Sequence, residues 1–353
     1  MKKKVLGIVL CVAMVASMLT ACGSKPAEPA PAEEKPAAEA PAAEEPAIEE
    51  PAAEEPAAEE SAASSDELVV GVTMQNLSEE FIAMLRDAIV IRQESEHQNV
   101  KLIINDAESK PDKQTAQLDS FIAQKVDAVI INPCDAEAMI PGVKAVVDAG
   151  IPCVTLSSDV SEDVGQVWIG SENKDAGVLS AEYAKEITDG KADVAVLRLM
   201  LGAFAEIGRQ EGYEEVINAT PDMNIVFDQS GNAQREEGMS IMENWLATGK
   251  NIDVVLAQND GMALGAIEAI KAAGKIDEIK VIGIDAIADA LDSVKADEME
   301  ATCFQDAIGQ AYGSLDMAVK AANGEKIERN NIPFELVTKD NADEYYSRIK
   351  LPE

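Results

Sequence analysis

From Leu68 onward the chain repeats one short pattern: an apolar run, a polar turn, then a stretch with helical spacing. Leu68 to Thr73, Val100 to Ile104, Ala128 to Ile131, Ile151 to Leu156 and Val167 to Ile169 read as strands. Helices are expected over Glu79 to Ser95, with Ser78 as N-cap, over Pro111 to Gln124, and in a segment ending at Gly150. The pattern then begins again. Strands at Val194 to Leu197, Asn224 to Phe227, Val254 to Ala257, Lys280 to Ile284 and Thr302 to Phe304 alternate with helices over Asp175 to Thr188, Ala205 to Asn218, Arg235 to Ala247, Met262 to Ala273, Ile287 to Ala296 and Gly309 to Ala322. A continuous apolar run such as Ala128 to Ile131 marks a strand buried on both faces. Such alternation requires parallel sheets covered by helices, so the expected fold is α/β, two doubly wound parallel-sheet lobes.

In open sheets of this kind, ligands bind beyond the carboxyl ends of the strands. Polar residues cluster there. Leu156 runs into Ser157-Ser158-Asp159, Ala257 into Gln258-Asn259-Asp260, Ile284 into Asp285, and Phe304 into Gln305-Asp306. Amides and carboxylates in those positions can make paired hydrogen bonds to neighbouring hydroxyls. One of them alone reads equally well as a helix cap; four at successive strand ends are harder to explain as caps only.

The N-terminus carries a different message. Lys2 to Lys4 precede an apolar run from Val5 to Met18, too short to span a bilayer and suited to a signal peptide over 1–21. Leu19-Thr20-Ala21-Cys22 resembles a bacterial lipobox, which implies cleavage before Cys22 and acylation of its thiol. Residues 22–65 then form the lipidated Cys and a Pro/Ala/Glu tail. From Ser24 to Ser65 that tail has twelve Glu against two Lys, a net of −10. It lacks an apolar set that could offset ordering entropy, so it is expected to act as an extended spacer. Removing the three signal lysines and the tail's −10 from the chain's −36 leaves −29 for the remainder. That charge argues against nucleic acid or an anionic membrane surface as a partner.

The remaining cysteines, Cys134, Cys153 and Cys303, are odd in number, so at least one is unpaired. Each sits at or near an apolar strand and reads as a small buried hydrophobe. No Cys/His spacing suggests zinc, and no metal or cofactor is expected. The single His, His97, lies in a polar run that reads as an exposed helix end. A nucleophile–His machine would have to depend on it, which argues against catalysis of that kind.

The segments AQNDGMALGAIEAIKAAGK, VIGIDAIADAL and TCFQDAIGQAYGSLDMAVKAANGEK closely resemble the ribose- and galactose/glucose-binding proteins of bacterial import systems. GVTMQNLSEEFIAMLRDAI, NDAESKPDKQTAQLDSFIAQKVDAVIINPCDAEA and GIPCVTLSSDV match the N-terminal lobe of the same family, and the likeness runs from Leu68 to about Asp343. It implies a type I periplasmic binding protein fold with a three-segment hinge, crossing near Ser171, Asp306 and Pro333. The N-terminal lobe would be 66–170 with 307–333, and the C-terminal lobe 171–306 with 334–353.

Carried over residue by residue, the resemblance implies that Phe81 stacks on a sugar ring and Arg209 donates a fork of hydrogen bonds. Asn259, Asp285 and Gln305 would bind hydroxyls, and Ser78 or Glu79 falls near a further polar contact. The departures matter. Ser157-Ser158 stands where the family usually has Asp or Asn followed by Arg or Lys. Ala233 replaces a second stacking aromatic, Glu80 replaces an aromatic neighbour of Phe81, and the loop 187–193 is too short to hold calcium as in galactose/glucose binders.

The function implied is an extracytoplasmic, lipid-anchored binding protein of an ABC-type importer, a monomer that delivers a monosaccharide or polyol to a membrane permease and performs no catalysis. The lost stacking surface points away from ribose, galactose and glucose, toward a polyol or modified sugar. The alternative is a sensory protein of the same fold that presents its ligand to a receptor kinase. A transcription regulator is disfavoured, because an export signal and acidic tail occupy the place of its DNA-binding helices.

Overall fold

The computed structural model describes residues 67–352. The expected signal peptide, Cys22 and the tail lie outside those residues. The first half runs β1 (Leu68–Met74), α1 (Glu80–Glu96), β2 (Val100–Asp106), α2 (Pro111–Gln124), β3 (Ala128–Ile131), α3 (Ile140–Asp148), β4 (Cys153–Ser157) and β5 (Val167–Gly170). The second runs α4 (Asn173–Ile187), β6 (Lys191–Arg198), α5 (Phe204–Asn218), β7 (Asp222–Ser230), α6 (Arg235–Ala247), β8 (Val254–Ala257), α7 (Asp260–Ala272), β9 (Lys280–Asp285), α8 (Ala288–Lys295), β10 (Ala301–Phe304) and α9 (Ala307–Ala322). Short β11 (Asn330–Asn331), β12 (Glu335–Thr338) and α10 (Ala342–Tyr345) follow.

These strands form two six-stranded sheets, in the orders β11-β5-β4-β3-β1-β2 and β12-β10-β9-β8-β6-β7. The two orders are the same doubly wound pattern twice. Each reverses direction once, between β1 and β3 and between β6 and β8, and such switch points open a crevice at the strand ends. The chain passes between sheets after β5, after β10 and between β11 and β12.

Both faces of each sheet are packed. In β3, Ala128 and Ile130 join the core beneath α1 and α9, while Val129 and Ile131 join the core beneath α2 and α3. In β8, Val254 and Leu256 face one core and Val255 and Ala257 the other. This two-sided burial is why these strands read as unbroken apolar runs rather than alternating ones.

Several expectations are refined. Ser78 does not cap α1. Its hydroxyl donates to Asn76 Oδ1 at 2.8 Å, and Glu79 takes the N-cap position without a side-chain cap bond. His97 is half-buried rather than exposed, with Nε2 2.7 Å from Asp316 Oδ1. The second sheet is not wholly parallel, because β12 runs antiparallel along β10. Cys134, Cys153 and Cys303 are all free and buried, and burial pushes each thiol up to about 12.

Candidate functional site

The carboxyl ends of strands from both sheets converge on a cavity of about 240 Å³. Drug-sized ligands occupy clefts of roughly 300–1,000 Å³, so this space suits a single small ring. Ser78, Glu79, Phe81, Ser157, Ser158, Arg209, Asn259, Asp285 and Gln305 all line it. The nine residues singled out from the sequence are thus brought together, from segments more than two hundred positions apart. Cys22, the tenth, lies outside the described residues.

Arg209 is the hub. Its side chain is 4% exposed. Nε donates to Asn173 Oδ1 at 3.1 Å, Nη1 to the Gln258 carbonyl, and Nη2 to Gln305 Oε1 at 2.9 Å. The fork is therefore fixed before any ligand arrives, which lowers the ordering cost of binding. Two glycines make this possible. A Cβ on Gly177 would collide with the Arg209 carbonyl, and one on Gly212 with the Lys174 carbonyl. Without side chains there, α5 lies directly on α4, and Asn173 at the start of α4 meets the guanidinium.

Asp285 closes β9, with Oδ1 3.8 Å from Arg209 Nη2. Its φ is 131°, and that of Ser157, at the end of β4, is 64°. Non-glycine residues rarely adopt such angles, and the strain turns both side chains out of their strands toward the cavity. Beneath Asp285 lies Asp260, fully buried, which accepts from Thr302 Oγ1 at 2.7 Å and the Ile287 amide at 3.1 Å. Gly283 has no side chain because the Asp260 carboxylate occupies that space.

Glu79 is also buried, and both its oxygens accept from Gln75 Nε2 at 3.2 Å. Burial pushes its carboxyl up to about 7, against the pull of Gln75 and Arg209. Burial likewise raises Asp285 well above the usual carboxylate range, opposed by Arg209 and reinforced by Asp260 and Glu79. Phe81, 8% exposed, packs in the core under α1 and lines the cavity as well. Ala233 and Glu80 line it where aromatics were expected from the resemblance.

The polar clusters at the strand ends divide into two kinds. Asp159 accepts from Thr155 Oγ1 and the Val160 amide, both at 2.9 Å, and Asp306 caps α9 through the Gly309 amide at 2.8 Å. Gln258 bonds the Leu199 amide and the Glu206 carbonyl. These three and Asp260 are structural. Asn259 does both jobs: it caps α7 through the Met262 amide at 3.0 Å, donates to the Ala233 carbonyl at 3.2 Å, and lines the cavity. Ser157 and Gln305 join the two sheets, Gln305 Nε2 donating to Ser157 Oγ at 3.2 Å. The segments that follow β3 and β6 also meet, the Ala136 amide donating to the Gly202 carbonyl at 3.1 Å.

Sequence reasoning missed Gln75, which holds Glu79, and Asn173, which holds Arg209. Gln75 directly follows a strand and its position could have flagged it; Asn173 carries no such signal. Among the described residues no group of three His, Cys, Asp or Glu side chains is arranged to hold a metal ion.

Residues 70–326 match the family described as periplasmic binding protein domain. A protein of Rhizobium meliloti provisionally named for rhizopine binding is 37% identical over 79% of this chain and 93% of its own length. The ribose import binding protein of Bacillus subtilis is 32% identical over 77% of this chain and 88% of its own. Among solved structures, an ABC transporter solute binding protein from Bacillus halodurans with bound myo-inositol superposes with a TM-score of 0.78, at 38% identity, over 81% of this chain and 99% of that one.

Proposed function

The chain belongs to the periplasmic binding protein domain family, and on that footing we propose that it is the extracytoplasmic substrate-binding component of an ABC-type importer, capturing a monosaccharide or related cyclic polyol. One observation carries the reading. An arginine fork, a carboxylate, two amides and paired serines from both sheets surround a cavity of about 240 Å³ that also has an aromatic wall, Phe81. Hydroxyls need acceptors and donors in alternation, and ring C–H faces need an apolar surface. The relatives named for ribose and bound to myo-inositol support the same class.

In this reading the lobes are 66–170 with 307–333 and 171–306 with 334–353, hinged at the three crossings, and the ligand stabilises their closure. Cys22 is the acylated N-terminus and the tail a spacer that holds a monomeric binding unit off the membrane, within reach of a permease. The protein binds without turnover and without a cofactor.

A thermal-shift screen of monosaccharides and cyclic polyols tests the ligand class, because a ligand of the native state raises Tm. A rise of several degrees with at least one such compound is expected; no shift across the panel would contradict the reading. For the anchor, Cys22→Ala expressed in a bacterial host is expected to leave the membrane fraction, and unchanged retention would contradict it.

A further inference from the structure

We propose that the cleft selects a ligand that carries a positive charge, an amine-bearing ring such as an aminocyclitol or amino sugar, with Glu79 and Asp285 as the selecting residues. This rests on the reading that the cleft holds a single-ring polyol, and names the chemistry that ring must bear.

Acids outnumber bases around the cavity at every depth. In the floor, the buried carboxylates of Glu79 and Asp285 face one buried guanidinium, Arg209, and Asp260 adds a third acid beneath. At the mouth, Glu80 and Glu236 stand against Arg235, which is already committed to Glu268 and Asp289 at 3.1 Å each.

The floor carboxylates also meet few side-chain donors, Asp285 being held by the Asp260 backbone. Arg209 spends its hydrogen bonds on Asn173, the Gln258 carbonyl and Gln305, all neutral acceptors. It stands 3.8 Å from Asp285, beyond hydrogen-bond reach. The two oxygens of Glu79 share one amide group, that of Gln75. Ser158, 5% exposed, lines the same cavity and places a hydroxyl beside these carboxylates.

An ionised carboxylate only accepts. A ligand hydroxyl can donate one proton to it but leaves the buried charge uncompensated, and an uncompensated buried charge is costly. An ammonium brings three donors and a compensating charge together, into the cavity that Glu79 and Asp285 both line. In the free protein burial pushes Glu79 up to about 7, so a proton partly fills the place that the ligand's ammonium takes over.

The test is calorimetry on the full mature protein at neutral pH with matched pairs: myo-inositol and an inositol bearing one amine in place of a hydroxyl, glucose and glucosamine, galactose and galactosamine. In at least one pair the amine is expected to bind about tenfold more tightly or better, the worth of one hydrogen bond to a charged group. Glu79→Gln, nearly isosteric, is expected to shrink the ratio of the two affinities within a pair by about fivefold or more, whatever it does to the neutral member's own affinity, since the charge is lost while the shape is kept. The wild-type pairs decide the matter even if the variant folds poorly. Neutral members binding as tightly as their amines, or more tightly, in every pair would overturn the proposal and leave the polyol-binding reading standing. Binding of neither kind would overturn that reading, and the proposal with it.

Discussion

Arg209 and Asp285 face each other at 3.8 Å, one from α5 and one from the end of β9, each with less than a tenth of its side chain exposed. They approach closely enough to feel each other's charge but not to form a hydrogen bond. Arg209 is held off by three neutral acceptors, and Asp285 is left pointing into the cavity.

Arg209→Lys retains the positive charge and loses the planar fork. A lysine ammonium cannot reach Asn173, the Gln258 carbonyl and Gln305 together. Ligand affinity is expected to fall by about tenfold or more, as one charge-assisted hydrogen bond is worth roughly 1.5–3 kcal/mol. Calorimetry with the compound giving the largest thermal shift checks this; unchanged affinity would mean that charge alone suffices.

Glu79 makes stability depend on pH in a known direction. Its carboxyl ionises near 4.5 in the unfolded chain and at about 7 in the folded one, the rise coming chiefly from burial, with Gln75 and Arg209 opposing it and Asp106 adding to it. Below about pH 4.5 the group is protonated in both states and costs nothing. Between those values the penalty grows, and above pH 7 it is fully present, on the order of 3 kcal/mol. Glu79→Gln is therefore expected to melt at a higher temperature than wild type at pH 8, with the gap closing by pH 4. A gap independent of pH would show that the carboxylate is not titrating there.

Gly177→Ala tests the link between helix packing and the site. A methyl group would meet the Arg209 carbonyl, so α4 and α5 must separate. Overpacking of this kind costs about 1–3 kcal/mol, and the shift should carry Arg209 off Asn173. Both Tm and ligand affinity are expected to fall. A drop in Tm with affinity intact would uncouple the helix contact from the guanidinium.

Much of this was legible in the sequence for physical reasons. Strands buried on both faces announce themselves as apolar runs, and Pro111 at the start of α2 and Arg235 to Ala247 as α6 were readable to the residue. β11, β12 and α10 were not. They are two to four residues long, and in β12 only Val337 is fully buried, so no periodicity develops. Asp285 and Ser157 could be found because residues at the carboxyl ends of parallel strands face the crevice. Asn173 could not, because its role comes from a glycine-mediated helix contact that no local pattern encodes. Asp159, Asp260 and Asp306 look the same in sequence as their cavity-lining neighbours; only their buried donors mark them as structural.

The central claim is that this cavity, and no other surface, binds the ligand through its strand-end polar groups. Asp285→Ala tests it most directly, because the side chain points into the cavity from a strand end and supports no core packing. Calorimetric titration of wild type and variant with the same cyclic polyol or monosaccharide is the measurement. One site per chain in wild type and a loss of about tenfold or more in the variant, with Tm of the unliganded protein preserved, are expected. Equal affinities in the two proteins would contradict the account.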